Sequence, residues 1–299
     1  MNILITGAGG LVGRATQTHL RRKGHAVYAM SRSDKTAPFY WRDQGNHQWH
    51  IRWSDAIAID AVIHLAGEGV AGGRWTPAKK QRIRDSRIDT TRALVRTFAS
   101  LKKPPGLFMC ASAIGFYGDY PGQIVDEDSP GGQDFLARLA LNWETEAQGA
   151  KQYGIRTINM RTGLVLAKDG GALQKMLPAF RLGLGGKLGD GRQIMSWVSI
   201  DEIPKMIEYL IDQPTAKGPI NLVSRHPVDN LTFTKTLGGS LHRPTLFPVP
   251  KIIIKKLFGE MGELLLLSSI EVRPTRLIEL GYHFDDDNLA DVFQKLLQS

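Results

Sequence analysis

The chain opens Met1-Asn-Ile-Leu-Ile-Thr-Gly7-Ala-Gly9-Gly10-Leu-Val-Gly13, a short apolar run broken by glycines and followed by a helix-like stretch. No other feature limits the fold as strongly. Asn2 to Thr6 read as a buried parallel strand, and residues 11–22 as the helix after it. Glycines at 7, 10 and 13 let the chain turn sharply and pack the helix closely on the strand. They also let backbone N–H groups approach a pyrophosphate, with Leu11 and Val12 opening the helix as part of the same seat. The spacing is G-x-x-G-x-x-G rather than G-x-G-x-x-G, although Gly9 also stands two places after Gly7. A glycine triplet alone describes many tight turns. Between a strand and a helix it points to a dinucleotide.

The second strand, residues 25–30, leads into Ser31-Arg32-Ser33. Sites that select NAD place an acid about here to accept the ribose 2′-hydroxyl. At this point the chain has a hydroxyl and a guanidinium instead, which suit a 2′-phosphate. NADP(H) is therefore the expected cofactor, with Ser31 and Arg32 at its phosphate. The competing reading of Arg32 is a solvated surface arginine.

A hydrophobic content of 42% with 22% charged residues describes a globular protein with a real core. The net charge of +9 raises the question of nucleic acid. The basic residues are dispersed, however, and even the cluster from Lys79 to Arg96 is interrupted by Asp85 and Asp89. No nucleic-acid partner is expected; an anionic cofactor or substrate accounts for part of the excess. Cys110 is the single cysteine, which excludes an internal disulfide and a multi-cysteine zinc site. It reads as a buried structural thiol. With a strand from residue 2 no leader is expected, Leu264 to Leu267 is too short to span a bilayer, and the cytoplasm is the expected compartment.

Apolar runs and helical stretches alternate up to about residue 165, with strands at 2–6, 25–30, 61–66, 106–111 and 155–160. Helices are expected at 11–22, 77–101 and 134–152, and a weaker strand near His47 to Trp53. This predicts an α/β fold, a Rossmann-type doubly wound parallel sheet, with a smaller mixed C-terminal lobe. Residues 1–165 form the nucleotide-binding domain, its sheet completed by parts of 190–245. Residues 166–245 supply substrate-lobe segments, and 246–299 a small helical module. The glycine-rich run from Gly163 to Gly191 reads as a flexible loop over a pocket. Further on, a helix is expected from about Asp201, a strand near Ile220 to Val223 and a helix near Leu231 to Leu237.

Several blocks carry a family likeness: ILITGAGGLVGR at the start, SRS, DAVIHLAGEGVAGGRW at 60–75, SRIDTTRALV at 86–95, ASAIGFYGD at 111–119 and the long stretch from Arg161 to Glu202. The chain resembles the extended or atypical short-chain dehydrogenase/reductases, specifically epimerase-family proteins of the nucleoside-diphosphate-sugar epimerase type with a small C-terminal module. The resemblance implies that Leu65 and Ala66 pass beside the cofactor ribose, that Arg87 reaches cofactor phosphate, and that Val165 lies near the nicotinamide.

The same resemblance exposes a departure. Active relatives use a Tyr-x-x-x-Lys pair, the lysine lowering the tyrosine pKa for proton transfer. Here no tyrosine has a lysine four residues later, and Leu136 and Ala140 occupy the corresponding positions. Ser112 matches the family's catalytic serine, and Tyr117 is the remaining candidate acid. Glu144 reads as a helix-surface or structural carboxylate, Asp126 to Asp128 as solvated loop acids, His64 and Trp197 as core, and Asp201 as a helix cap. No metal site is expected. The expected function is an NADP(H)-dependent oxidoreductase or epimerase-like enzyme acting, as monomer or homodimer, on a small polar substrate. The alternative is an NADP(H)-binding regulatory or interaction protein without catalysis.

Overall fold

A computed structural model describes residues 1–43 and 49–298. β1 (Asn2–Thr6), α1 (Leu11–Arg22) and β2 (Ala26–Ala29) form the first β–α–β unit. A hairpin of β3 (Phe39–Asp43) and β4 (Trp49–Trp53) follows, then β5 (Ala61–His64), α2 (Pro77–Ser100) and β6 (Leu107–Ala113). Next come β7 (Tyr120–Val125), α3 (Phe135–Gln148), β8 (Arg156–Thr162), β9 (Leu164–Ala167) and α4 (Gly171–Arg181). The chain continues through β10 (Ile194–Met195), β11 (Trp197–Ser199), α5 (Glu202–Asp212), β12 (Gly218–Leu222), β13 (Val228–Asp229) and α6 (Asn230–Ser240). It ends in α7 (Lys251–Phe258), α8 (Glu260–Gly262), β14 (Ile270–Val272), α9 (Thr275–Glu279) and α10 (Leu289–Gln298).

Six strands make the expected doubly wound parallel sheet, ordered β12-β8-β6-β5-β1-β2. From β1 the chain moves outward to β2, and from β5 it moves the other way. A crevice therefore opens between the C-terminal ends of β1 and β5, where open α/β sheets take their ligands. β1 shows why both faces must be covered. Ile3 and Ile5 join a cluster with Leu20 of α1 and Met206, Ile207 and Leu210 of α5. Leu4 points the other way, against Ile88, Leu94 and Phe98 of α2 and Trp143 of α3. Each such fully buried side chain contributes about 1.5–3 kcal/mol.

Between β2 and β5 the hairpin replaces a crossover helix. Its second strand, β4, corresponds to part of the expected strand near His47 to Trp53; His47 itself lies outside the described residues. Phe39 is fully buried, and Trp53 meets both Phe39 and Phe98 edge-on.

The segment from Gly163 to Gly191 is more ordered than a flexible loop. β9 pairs in parallel with β11, and α4 buries Leu173, Leu177 and Phe180 along one stripe. Pro178 inside α4 is what hides this helix from a propensity reading. The C-terminal module is likewise not purely helical. β14 pairs with β7, and Leu277 and Phe284 enter the core beneath the central sheet. A third cluster joins α4, α6 and α10 through Phe180, Phe233 and Phe293. Among the described residues, no helix is long and apolar enough to cross a membrane.

Candidate dinucleotide site

The turn between β1 and α1 requires glycine for reasons of space as well as conformation. Gly7 has φ +68, and a Cβ there would lie 2.7 Å from the Leu65 carbonyl carbon. A Cβ at Gly13 would fall 2.3 Å from the Gly7 oxygen, so α1 sits directly on the turn. The Gly10 N–H donates to that same oxygen at 2.9 Å. Gly9 faces open space. α1 starts at Leu11 with neither a side-chain cap nor an acid in its first turn. The N–H groups of Leu11, Val12 and Gly13 thus lack intrahelical partners, and the positive end of the helix dipole opens at the crevice.

The other wall is the end of β5. Thr6 Oγ1 lies 2.6 Å from His64 Nδ1 and accepts from the Ala66 N–H at 3.3 Å. Leu65 N–H donates to the Thr6 carbonyl. Leu65 and Ala66 are thereby pinned against the glycine turn. His64 is fully buried, as expected of a core histidine; desolvation, helped by the Arg87 charge, pushes its pKa down to about 3. Arg87, on α2, lies beneath the loop after β5, donating to the carbonyls of Glu68 at 2.9 Å and Ile83 at 3.1 Å. Its guanidinium stands 5.0 Å from the Trp143 ring centre, and burial lowers its pKa to about 10.

Ser31 follows β2 and is fixed by exchanging backbone hydrogen bonds with the hairpin, to Phe39 at 3.0 Å and from Trp41 at 2.9 Å. Its hydroxyl oxygen accepts from the N–H groups of Asp34 and Ser33, so it shapes the turn. Arg32 is exposed beside it. Asp34 follows two residues later, and its Oδ1 is taken up by the Thr36 N–H and hydroxyl. Val165 sits half-buried on β9. The turn after β9 closes back on α1: a Cβ at Gly170 would come within 2.7 Å of Leu11 Cδ1. Gly170 was legible only as one glycine among many in that stretch.

Ser112 and Tyr117 belong to a buried polar chain that starts near the C-terminal end of β6. Ser112 Oγ donates to Glu144 Oε1 at 2.6 Å. Glu144 takes two bonds from Arg161, Nε to Oε1 at 2.8 Å and Nη2 to Oε2 at 2.9 Å. Arg161 Nη1 donates to the Tyr117 hydroxyl at 3.0 Å, which donates to Asn221 Oδ1 at 2.7 Å. The Asn221 N–H donates to Glu127 Oε1 at 2.9 Å. The guanidinium of Arg161 also lies 3.5 Å over the Phe116 ring. Tyr117 is 0% exposed, and burial raises its pKa to about 12 despite the nearby cation. This geometry does not support the acid role expected for Tyr117, and it commits the Ser112 proton to Glu144.

The network corrects one further expectation: Glu127 is buried rather than solvated, and burial pushes its carboxyl pKa up. Of the two readings open for Glu144, helix-surface or structural, the structure shows the structural one, on the buried face of α3. Arg161 was missed altogether. Its signal was a cation directly after the expected strand 155–160, with an acid on the inward stripe of a neighbouring helix. Asp201 occupies the N-cap position of α5 but makes no capping bond; its carboxylate pairs with Lys295 at 2.9 Å. Trp197 is core.

With this geometry in place, known proteins give a consistent match. The "NAD dependent epimerase/dehydratase family" profile covers residues 3–223, and the domain of unknown function DUF1731 covers 249–296. Epimerase family protein Mb2239 of Mycobacterium bovis is 35% identical over 292 residues, covering 97% of this chain and 95% of that one. Epimerase family protein YfhF of Bacillus subtilis is 34% identical, covering 99% and 98%. The crystal structure of human epimerase family protein SDR39U1 with NADPH superposes with a TM-score of 0.90 at 28% identity, over 100% and 99% of the two chains. The chain belongs to the NAD dependent epimerase/dehydratase family.

Proposed function

We propose that the protein is an NADP(H)-dependent oxidoreductase or epimerase-like enzyme acting on a small polar substrate. The observation that carries the reading is the uncapped N-terminus of α1 above a turn in which Gly7 and Gly13 leave no room for a Cβ, with exposed Arg32 just past β2. These residues fit a dinucleotide: open space at Gly9 and orphan N–H groups at Leu11 to Gly13 suit a pyrophosphate, and a guanidinium suits a 2′-phosphate. Gly7, Gly10, Leu11, Val12 and Gly13 would hold the pyrophosphate, and Ser31 with Arg32 the 2′-phosphate. Leu65 and Ala66 would border the ribose and Val165 the nicotinamide. Arg87 would act through the loop after β5, whose Glu68 carbonyl it holds. The human relative was crystallised with NADPH, which supports this assignment.

A bound nicotinamide supplies or accepts hydride. The chain's own task is then to orient the substrate and manage a proton. Leu136 and Ala140 carry no transferable proton, and the hydroxyls of Ser112 and Tyr117 are engaged in the buried network. Proton transfer would therefore fall to solvent or to the substrate itself. The same engagement supports the second reading, a cofactor-binding regulatory or interaction protein. The test is to follow NADPH absorbance with a panel of small carbonyl compounds. Substrate-dependent oxidation of NADPH supports the enzyme; tight binding without turnover across the panel supports the second reading.

A further inference from the structure

We propose, on the dinucleotide reading of the crevice, that residues 69–74 in the loop after β5 form a gate across it, and that the C-terminal module latches this gate and so sets the rate of NADPH exchange. A closed circuit of contacts surrounds the N-terminus of α1. Gly7 abuts the Leu65 carbonyl at the end of β5, and Leu11 packs on Gly170 at the start of α4. From α4, Lys175 Nζ donates to the Ala71 carbonyl at 2.6 Å, and the loop from Ala71 runs back to Leu65. The first two joints are close packing, in which a Cβ on either glycine would come within 2.7 Å of its neighbour. The third is a single hydrogen bond from an exposed lysine, so the circuit opens most readily there.

Two fixed ends bracket the gate. Before it, the Glu68 N–H donates to Ser86 Oγ at 2.9 Å and the Glu68 carboxylate pairs with Lys79 at 2.6 Å. After it, Trp75 packs edge-on against Phe135 of α3 at 5.2 Å, and Thr76 caps α2. Between these ends Val70 is half-buried and residues 71–74 are exposed, so hydrogen bonds rather than apolar burial hold the span. Gly69 and Gly73 face open space, and Gly73 has φ +81, which suits both to act as hinges. The latch is Arg74. Its guanidinium donates to the Leu257 carbonyl at 3.1 Å and to that of Lys256, in the last turn of α7. Carbonyls at a helix C-terminus lack intrahelical partners and carry the negative end of the dipole, so they favour a cation with several donors. Beside this contact, Lys80 Nζ on α2 lies 2.5 Å from Glu260 Oε2 on α8. The C-terminal module thereby has a task at the crevice, although the glycine turn is built without it.

Nucleotide enters and leaves only through the open gate, so weakening a tether speeds both directions alike and leaves the dissociation constant nearly unchanged. Stopped-flow fluorescence of NADPH with the full chain reads both rates. Arg74→Ala and Lys175→Met, both at exposed positions, are each expected to raise the association and dissociation rate constants about tenfold, with the dissociation constant held within about twofold. Lys251→Ala, which removes the exposed pair with Asp190 at the start of α7, should keep the wild-type rates. Hydrogen exchange of residues 69–74 in the nucleotide-free chain tests the tethers without any cofactor. Both tether variants should exchange faster there than the wild type, and Lys251→Ala should not. Unchanged rates in both tether variants overturn the gate. So does a weaker dissociation constant with unchanged association, which would make the side chain a ligand contact instead. Equal protection of 69–74 in all variants overturns the latch. A chain whose tether variants exchange faster but which never binds NADPH overturns the dinucleotide reading while the latch stands.

Discussion

At the scale of single residues, His64 makes a pH-dependent prediction. Its folded pKa of about 3 lies below the ordinary value near 6.5, because burial and the Arg87 charge disfavour protonation. Between those values the unfolded chain binds the proton and the folded chain does not. Stability must then fall as pH drops below about 6.5, by up to about 1.4 kcal/mol per pH unit for this one group. Urea denaturation at stepped pH should show a shallower slope for His64→Gln than for the wild type. Identical slopes would mean that His64 is accessible to protons in the folded state. The buried network gives a second prediction. Arg161→Met strands the Glu144 carboxylate and should cost about 3–5 kcal/mol, whereas Tyr117→Phe removes one neutral donor and should cost about 1 kcal/mol. If Tyr117→Phe instead abolished turnover while stability held, Tyr117 would be catalytic after all. At the glycine turn, a Cβ on residue 10 meets only the Gly7 oxygen, at 3.2 Å. Gly10→Val should therefore fold, yet lose both NADPH and NADH in a binding assay.

Among the elements, legibility followed periodicity and length. The strands 2–6 and 61–64 and the helices from 11, 77 and 135 were readable because each carries a long apolar stripe or run and a clear start, such as the Thr76 cap followed by Pro77. Three kinds of element escaped. β14 is too short to show a period, α4 contains Pro178, and the stretch from Phe39 runs three aromatics into two charged residues without the strand's alternation of apolar and polar side chains. In the site, the glycine turn was legible because it is local in sequence. The Ser112–Glu144–Arg161–Tyr117 chain was not, since its members come from β6, α3, β8 and the turn at 114–117, and only the parallel sheet brings them together. α10 offers a test at this scale. Phe293 meets Phe233 of α6 edge-on at 5.2 Å, so Phe293→Ala should cost about 3–5 kcal/mol in urea denaturation. Because α10 contributes nothing to the glycine turn, nucleotide affinity of the folded variant should be unchanged. A parallel loss of affinity would show that the third core sets the crevice.

For the molecule as a whole, the sheet and the cleft have separate origins. The sheet follows from apolar strands buried on both faces, and its order alone puts a crevice between β1 and β5. In the proposed reading, the unpaired positive end of α1 together with Arg32 would make that crevice a nucleotide site, while Leu136 and Ala140 stand where the resemblance puts the Tyr-x-x-x-Lys pair and the Ser112 and Tyr117 hydroxyls are engaged in the buried network. The central claim is thus one of binding selectivity, and calorimetric titration of NADPH and NADH into the wild type and Arg32→Ala tests it most directly. The wild type should bind NADPH about tenfold to a hundredfold more tightly than NADH, and Arg32→Ala should remove most of that preference while leaving NADH affinity nearly unchanged. Equal affinities in the wild type, or a preference that survives Arg32→Ala, would contradict it.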